Sequence, residues 1–316
     1  MNKRQLGRSG LQVAPLALGG NVFGWTIDEA TSFKILDAFV AAGFDLVDTA
    51  DVYSRWAPGN QGGESETIIG KWIKSRGLRD KVVIATKAGG DMGQGKKDIS
   101  RKYILSAVEN SLRRLQTDHI DLYQSHWDDD TTPVEETLEA YAQLIREGKI
   151  RAIGASNFTP ARLRASMEAS ERYGYPRYET IQPQYNLYER EDFERELEPI
   201  CREYQLGVIS YFSLARGFLT GKYRSEADLT KSVRGGGVKD YLNERGFRIL
   251  KALDEVAAQY KTSPASIAIA WLIARPSVTA PISSATSEAQ LNDLLQAASL
   301  SLDAASVGKL TKASEY

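Results

Sequence analysis

Four side chains that can hold or move a proton each come shortly after a short apolar segment of the sequence. The side chains are Asp48, Tyr53, Lys87 and His126, and the segments are 44–47, 81–85 and 120–123. Such runs are typical of buried strands, and sequence with a helical pattern separates them. In a parallel barrel the C-terminal ends of all strands open onto one face. We therefore expect a carboxylate, a phenol, an amine and an imidazole to meet in one pocket.

These four residue types together suit proton transfer to a carbonyl oxygen. A tyrosine phenol has a pKa near 10, and a nearby lysine ammonium stabilises the phenolate, so we expect Lys87 to lower the pKa of Tyr53. Asp48 would keep Lys87 charged and fix its position. His126 would hydrogen-bond a substrate oxygen and hold it toward Tyr53. None of these side chains can carry hydride, so the pattern also predicts a nicotinamide cofactor.

Each of the four residues also has a purely structural interpretation. Asp48 could cap a loop, Tyr53 could pack as a core aromatic, Lys87 could be a solvated charge, and His126 could be hydrogen-bonded in the core. Taken singly, that interpretation is favoured for all except Lys87, because a charge directly after a buried strand is uncommon. Four compatible types at three successive strand ends favour a shared site.

The rest of the chain repeats the alternation of strand and helix eight times. Predicted strands cover residues 16–20, 44–48, 81–86, 120–125, 150–155, 179–183, 208–211 and 278–282. Predicted helices cover residues 28–42, 64–75, 100–115, 132–147, 192–204, 243–260, 264–274, 287–298 and 304–313, and a further helix starts at residues 159 and 160. The turn-rich residues 7–10 predict a hairpin that plugs the bottom of a barrel. We predict an α/β fold, a (β/α)8 TIM barrel with an N-terminal β-hairpin and a C-terminal helix, as a single domain over residues 1–316.

Helix boundaries are predicted from capping residues. Ser100 and Thr159 are expected to cap the helices that follow them, the second with Pro160 in its first turn. Thr132, Pro133 and Glu135 predict an N-cap, a first-turn proline and a capping-box acid.

Composition restricts the class of protein. The chain has 316 residues, with 42% hydrophobic and 26% charged residues and a net charge of −1, which gives no indication of binding to nucleic acid or to an anionic membrane. The first residues contain no long apolar core, and no apolar run approaches the roughly 20 residues of a membrane helix. Cys201 is the only cysteine and there are two histidines, which excludes an internal disulfide and gives no metal cluster. We expect a cytoplasmic protein.

Several longer motifs resemble the aldo-keto reductase family, in particular its bacterial oxidoreductases and potassium-channel β-subunits. The motifs lie at residues 44–53, 63–66, 85–87, 118–126, 148–158 and 182–186. The resemblance implies a TIM barrel that binds NADPH, or less often NADH, in extended form. It assigns Asp48, Tyr53, Lys87 and His126 to a catalytic tetrad, with Tyr53 as the general acid in reduction.

The resemblance also implies which residues hold the cofactor and the substrate. Ser156, Asn157 and Gln182 would hold the carboxamide, and Tyr211 would stack on the nicotinamide ring. The full cofactor set would be Gly20, Asn21, Asp48, Ser156, Asn157, Gln182, Tyr211, Ser213, Leu214, Gly217, Leu219, Lys222, Ser284, Thr286 and Gln290. The carbonyl or alcohol substrate would contact Trp25, Tyr53, Trp56, His126 and Trp127.

The segment 281–290 departs most from the family pattern. Ser284, Thr286 and Gln290 align with cofactor-contacting positions, and Leu294 stands where an adenine-binding asparagine is frequent. No arginine is present there to pair with a 2′-phosphate. NADPH is the expected cofactor, with NADH possible. The missing charge could come from Lys222, Arg224, Lys231, Arg234 and Lys239 if their loop folds over the cofactor.

Two glycine-rich segments imitate nucleotide-binding motifs. Residues 90–97 nearly match a P-loop but place Lys97 where a Ser or Thr should bind magnesium, so we expect a flexible loop on the substrate side. Residues 235–237 follow no predicted strand, and we expect a mobile loop that could act as a lid.

The sequence therefore predicts a reversible reductase of aldehydes or ketones. The alternative is a regulatory subunit that binds NADPH with little turnover. A cofactor-free isomerase or lyase on the same barrel is a third hypothesis, which the Ser156, Asn157, Gln182 and Tyr211 set argues against. The natural substrate, the physiological direction and the oligomeric state are left open.

Overall fold

The computed structural model describes residues 2–233 and 235–316. Ten strands are present in the described part of the chain. They are β1 Arg4–Gln5, β2 Gln12–Val13, β3 Ala17–Gly19, β4 Leu46–Asp48, β5 Val83–Ala88, β6 Ile120–Ser125, β7 Ile150–Ser156, β8 Tyr178–Gln182, β9 Gly207–Val208 and β10 Ile282–Ser283. Strands β3 to β10 form one parallel sheet in the order β10, β3, β4, β5, β6, β7, β8, β9.

Ten α-helices pack around this sheet in the described residues. They are α1 Glu29–Ala41, α2 Glu64–Arg76, α3 Arg101–Leu115, α4 Val134–Arg146, α5 Pro160–Tyr173, α6 Glu198–Tyr204, α7 Glu244–Tyr260, α8 Pro264–Ile273, α9 Glu288–Ala297 and α10 Ala304–Ala313. A π-helical turn, Phe193–Leu197, precedes α6, and 3-10 segments lie at Gly20–Val22, Arg79–Lys81, Ala215–Thr220, Glu226–Lys231 and Gly235–Tyr241.

Backbone hydrogen bonds join the two ends of the sheet. The N–H groups of Thr279 and Ala280 both donate to the Val208 carbonyl, at 2.9 and 3.2 Å, and Ile282 N–H donates to the Ser210 carbonyl at 2.8 Å. Because two donors share one acceptor, the hydrogen bonding is irregular where the two ends of the sheet meet. The predicted eighth strand therefore shrinks to β10, and the predicted seventh to β9. The predicted TIM-barrel fold is confirmed.

The predicted N-terminal hairpin is also present and closes the base of the barrel. Strands β1 and β2 pair antiparallel. The Arg4 guanidinium donates to the carbonyls of Ile273 and Val278 at 2.8 and 2.9 Å. Leu6 and Val13 are fully buried and pack with the inward-facing residues of the barrel strands. A larger apolar core lies between the strands and the surrounding helices.

Capping was predicted correctly at two helices and wrongly at one. The Ser100 and Thr159 side chains accept from Tyr103 N–H and Arg162 N–H. Thr132 does not cap α4: its hydroxyl donates to Asp129 Oδ2 at 2.6 Å, and Pro133 occupies the N-cap position without a side-chain cap. The helix begins one residue later than predicted, so the N-cap position falls on proline, whose side chain cannot accept a hydrogen bond.

The glycine segment 235–237 was predicted to be a mobile loop, but it begins a 3-10 helix, Gly235–Tyr241. A Cβ at Gly235 would lie 1.7 Å from the Leu229 carbonyl oxygen, so this glycine allows two backbone segments to pack closely. Within the described ranges, no helix is both long and apolar enough to cross a membrane.

Candidate active site

The strand ends bring the four predicted catalytic side chains together. Asp48 ends β4, Lys87 lies near the end of β5, and His126 directly follows β6. The Lys87 Nζ donates to Asp48 Oδ2 at 2.7 Å and to the Thr49 carbonyl at 2.7 Å. Tyr53 O–H donates to the same Asp48 oxygen at 3.5 Å, and its ring lies edge-on to His126 with centroids 5.9 Å apart. The result is a buried ion pair with a phenol and an imidazole above it.

Two glutamines hold the other oxygen of Asp48. Gln182 Nε2 donates to Asp48 Oδ1 at 2.9 Å, and Gln124 Nε2 donates to it at 3.4 Å. Gln124 was not singled out from the sequence. It pairs in register with Lys87 on the neighbouring strand, so side-chain alternation along β6 would have placed it inside the barrel.

Burial controls the protonation of the site. It raises the pKa of Tyr53 well above 10, and the negative charge of Asp48 raises it further. The predicted lowering of this pKa is wrong, because burial and the charge of Asp48 outweigh the effect of the Lys87 ammonium, which is bonded to Asp48 and to the Thr49 carbonyl and lies 4.8 Å from the Tyr53 ring centroid. Burial also lowers the pKa of Lys87, while Asp48 opposes that change.

The His126 imidazole is neutral at physiological pH. Burial, and secondly the charge of Lys87, hold the pKa of His126 well below 6.5. Its Nδ1 is buried without a hydrogen-bond partner among the described residues. At neutral pH the site therefore contains a protonated phenol, a neutral imidazole and the Asp48–Lys87 ion pair.

A cavity of about 830 Å³ extends from these residues across the C-terminal face of the barrel. Most of the predicted site residues line it. They are Asn21, Asp48, Tyr53, Trp56, His126, Trp127, Ser156, Asn157, Gln182, Tyr211, Ser213, Leu214, Gly217, Lys222, Ser284, Thr286 and Gln290. Lys87 lies beneath the cavity floor, bonded to Asp48.

Three predicted contact residues do not line the cavity. The Gly20 carbonyl accepts from the Ser65 hydroxyl at 2.8 Å, which turns this residue toward α2. Leu219 is fully buried in the outer core. Trp25 packs edge-on against Trp56, with centroids 5.5 Å apart. Each therefore supports residues that form the cavity wall.

The predicted carboxamide-binding residues form a connected hydrogen-bonded group. Ser156 O–H donates to the Gln182 carbonyl at 2.9 Å. Asn157 Nδ2 donates to the His126 carbonyl at 2.9 Å, and Tyr211 O–H donates to Asn157 Oδ1 at 2.8 Å. Asn157 has a φ of +55°, a conformation that asparagine tolerates better than most residues. The bend directs its amide toward both the strand end and the cavity.

Aromatic rings form a continuous series around the Tyr53 phenol. The order of contact is Trp25, Trp56, Tyr53, His126 and Trp127. The His126 and Trp127 rings stack with centroids 3.6 Å apart. A Cβ at Gly90 would come 2.7 Å from the Trp127 ring, so this glycine allows the indole to pack against the loop after β5. This end of the cavity is walled by flat apolar surfaces.

The segment between β9 and α7 lies over the other part of the cavity. Of the five predicted cations, Lys222 and Lys231 line the cavity, whereas Arg224 pairs with Asp254 and Lys239 lies 3.5 Å from Glu226. Arg234 lies outside the described residues.

Several cavity residues were not predicted. They are Gly19, Val22, Thr26, Val52, Phe212, Arg216, Thr220, Ser232, Val233, Ser263, Ala265, Ile282, Ser283 and Asp293. Many lie next to predicted positions in the loops that follow the strands. Including the neighbours of each predicted position would have found them. Ser263, Ala265 and Asp293 come from or next to helices α8 and α9, and no local pattern marks them.

The P-loop-like segment cannot hold a phosphate in this conformation. The N–H groups of Gly93 and Gly95 donate to Asp91 Oδ1 at 2.8 and 3.0 Å, so the chain's own carboxylate occupies the turn. Cys201 is buried, and burial raises the pKa of its thiol to about 12. No group of three or more metal-ligating side chains occurs in residues 2–233 and 235–316.

Comparisons with known proteins agree with this geometry. Residues 15–315 match the model of the Aldo/keto reductase family. The chain is 37% identical to the uncharacterized oxidoreductase YrpG of Bacillus subtilis, over 96% of this chain and 93% of that protein. It is 37% identical to the aldo-keto reductase YhdN of the same organism, over 88% and 81%. It is 33% identical to a probable voltage-gated potassium channel subunit beta of rice, over 94% and 91%. The chain belongs to the aldo/keto reductase family.

Proposed function

We propose that this protein is an NAD(P)H-dependent reductase of aldehydes or ketones that works reversibly toward alcohols. Family membership and the oxidoreductase relatives support an oxidoreductase. The observation that carries the finer proposal is the Tyr53 phenol, which lies 3.5 Å from the buried Asp48–Lys87 ion pair at one end of a large cavity. A buried phenol with a nearby ammonium is suited to give a proton and then to hold the resulting charge.

The cavity residues fit a nicotinamide dinucleotide. The volume lies within the range of small-molecule sites, about 300–1,000 Å³. Ser156, Asn157 and Gln182 offer amide and hydroxyl groups to a carboxamide, and the Tyr211 ring offers a flat surface beside them. When bound, the cofactor would supply the hydride that no side chain can supply.

The protein's own residues perform the proton chemistry. Tyr53, protonated at neutral pH, donates to the carbonyl oxygen. The Lys87 ammonium stabilises the phenolate that remains, and Asp48 holds Lys87 in place through its 2.7 Å contact. Neutral His126 orients the substrate oxygen by a hydrogen bond from its ring. In alcohol oxidation the same phenolate accepts the proton.

Charge along the rest of the cavity bears on the choice of dinucleotide. The cations among its described lining residues are Arg216, Lys222 and Lys231, all from the segment between β9 and α7. The lining residues between 282 and 294 include Asp293 and no cation. Family membership favours NADPH, which would require a cation from that segment to meet its 2′-phosphate, and NADH remains the alternative.

The aromatic walls bear on the substrate. Trp56 and Trp127 flank Tyr53 and His126 in the series of rings. Such walls favour a carbonyl compound with a ring or another apolar portion. We propose such a compound as the substrate class.

Replacing Tyr53 tests the mechanism. Tyr53→Phe removes the proton donor and keeps the ring, so turnover should fall by about 10²–10⁴-fold. The measurement is a titration of intrinsic fluorescence with NADPH and NADH, followed by turnover on a panel of aromatic and aliphatic aldehydes and ketones. Cofactor affinity should be retained, because the phenol is not assigned to the cofactor. Near-normal turnover in the variant would contradict the proposal.

A regulatory subunit is the second candidate, favoured by the similarity to the rice protein named as a potassium channel subunit. It would bind NADPH tightly and turn over far more slowly than the usual enzyme range of about 1–10³ s⁻¹. The same titration and panel distinguish the two. Failure to bind either dinucleotide would instead support a cofactor-free isomerase or lyase.

A further inference from the structure

A buried carboxyl group that acts electrostatically on the proposed catalytic lysine has no assigned role. Asp51 is 2% exposed and does not line the cavity. Its backbone N–H donates to the Lys87 carbonyl at 3.0 Å, which fixes it against β5. Its Oδ1 is buried without a hydrogen-bond partner in the described part of the chain. Buried carboxyl oxygens usually have partners, so this one requires an explanation.

The charges around Asp51 are already balanced without it. Lys87 pairs with Asp48 at 2.7 Å, and Arg114 pairs with Glu66 at 2.6 Å. An ionised Asp51 would therefore be a surplus buried charge, which is unfavourable. Burial, and secondly the charge of Glu66, raise the pKa of Asp51 to about 8, whereas Arg114 and Lys87 act in the opposite direction.

Titratable and charged groups on five elements interact electrostatically with this carboxyl. They are Lys87 of β5, Glu66 of α2, Tyr103 and Arg114 of α3, Tyr123 of β6 and Tyr141 of α4. Tyr123 has a hydroxyl that is buried and, like Asp51 Oδ1, has no partner among the described residues. The three phenols are neutral near pH 8, because burial raises the pKa of each above its usual value. A pKa of about 8 places the change in the charge of Asp51 in that range.

We propose that Asp51 is a positioning residue that acts on the reaction through Lys87. In its neutral form it adds no charge to the Asp48–Lys87 pair, so the Lys87 ammonium can stabilise the Tyr53 phenolate. In its charged form it places a second anion beside Lys87 and opposes formation of that phenolate. The inference rests on the proposed reductase function, because it concerns the proton that Tyr53 donates.

The test is the pH profile of kcat for aldehyde reduction in the wild-type protein and in Asp51→Asn. The kcat of the wild type should fall about tenfold as the pH rises through a break near pH 8. A tenfold fall corresponds to a rise of about one unit in the pKa of Tyr53. Asp51→Asn, which cannot ionise, should lack this break. The exposed Asp80→Asn removes a carboxylate outside this cluster and should retain the break.

A second variant distinguishes this role from a structural one. Glu66→Gln removes the negative charge that opposes ionisation of Asp51, so the break should move to lower pH. If Asp51 had only a structural role, Asp51→Asn and Glu66→Gln could each lower activity, but the break in the pH profile of kcat would stay at the same pH. An unchanged break in Asp51→Asn would overturn the proposal.

A third measurement does not require turnover. The infrared band of a buried protonated carboxyl should be present at pH 6.5, disappear near pH 8 and be absent from Asp51→Asn. If Asp51→Asn does not fold, the test relies on two other results. The wild-type band should disappear near pH 8, and in Glu66→Gln it should disappear at lower pH. If the wild-type protein has no reductase activity, the proposed function fails, and the infrared result still decides whether Asp51 titrates. A carboxyl already ionised at pH 6.5 would refute the inference.

Discussion

Asp48 is the residue on which the hydrogen bonds of the site converge. One carboxylate oxygen accepts from Lys87 and Tyr53, and the other accepts from Gln182 and Gln124. Lys87 and Asp48 form an ion pair that is almost completely out of water. Burial, and secondly the charge of Asp48, raise the pKa of Tyr53, so the phenol is protonated at neutral pH. At this scale the important property is the protonation state of each group before reaction.

The neutral state of His126 gives a direct prediction. Its pKa is held well below 6.5, first by burial, so its ring should not titrate near pH 6.5 in the folded protein. Nitrogen NMR of the ring, with the signal assigned by His126→Gln, measures this. Below about pH 6.5 the His126 imidazole binds a proton in the unfolded chain, whereas the buried imidazole of the folded chain stays neutral. Stability should therefore fall by about 1.4 kcal/mol per pH unit below that value, and less steeply in His126→Gln. Titration of the native ring near 6.5 would contradict the assignment.

At the scale of elements, the contact between α2 and α3 supports the site from behind. Arg114 of α3 bonds to Glu66 of α2, whose other oxygen accepts from the Thr86 hydroxyl of β5. The helices approach closely at Gly70, where a Cβ would lie 2.2 Å from the Arg114 carbonyl oxygen. Glycine in the middle of a helix is here a requirement of packing.

Replacing Gly70 should therefore destabilise the protein although alanine favours helices. Gly70→Ala gains about 1 kcal/mol of helix propensity but forces apart two backbones, and we expect a net loss of about 1–3 kcal/mol. Gly308→Ala in α10 is the matched control, because nothing lies within 4 Å of the added Cβ, and it should stabilise by about 0.5–1 kcal/mol. Urea unfolding at neutral pH measures both. Equal effects of the two substitutions would show that α2 and α3 can separate without cost.

For the whole molecule, the segment between β9 and α7 forms a cover over part of the cavity, and an ion pair joins this cover to α7. Lys222 and Lys231 line the cavity from the segment between β9 and α7, and Lys231 Nζ donates to the Lys222 carbonyl at 3.1 Å. Arg224 donates twice to Asp254 of α7, at 2.9 and 2.8 Å. Opening this cover requires the ion pair to break or move. The single domain, the cytoplasmic location and the absence of a nucleic-acid partner remain predictions.

Loosening the cover should speed release of the cofactor. Arg224→Gln removes a half-exposed ion pair, and such pairs contribute about 0.2–1 kcal/mol. We expect the dissociation rate of NADPH or NADH to rise by about 1.5- to 5-fold in stopped-flow fluorescence. Arg164→Gln breaks the comparably exposed pair with Glu203 away from the cavity and should leave the rate unchanged. A rise in both variants would point to a general loss of stability instead.

The sequence by itself determined the order of elements and which four residues are proposed to form the proton-transfer group. Alternating strand and helix patterns and residues placed at strand ends are local signals, and the parallel barrel brings those ends together. Capping was predictable where a hydroxyl had only the helix to bond, at Ser100 and Thr159. It failed at Thr132, because the helix begins one residue later and Pro133 occupies the N-cap position.

Only the tertiary structure decided the properties that depend on distance and burial. The direction of the Tyr53 pKa shift follows from desolvation and from the position of Asp48, neither of which is encoded in a local motif. The same is true of the contribution of Asp293 to the cavity and of the burial of Asp51. Residue types specify which chemistry is available, and the packing of the barrel sets the electrostatic environment in which each group acts.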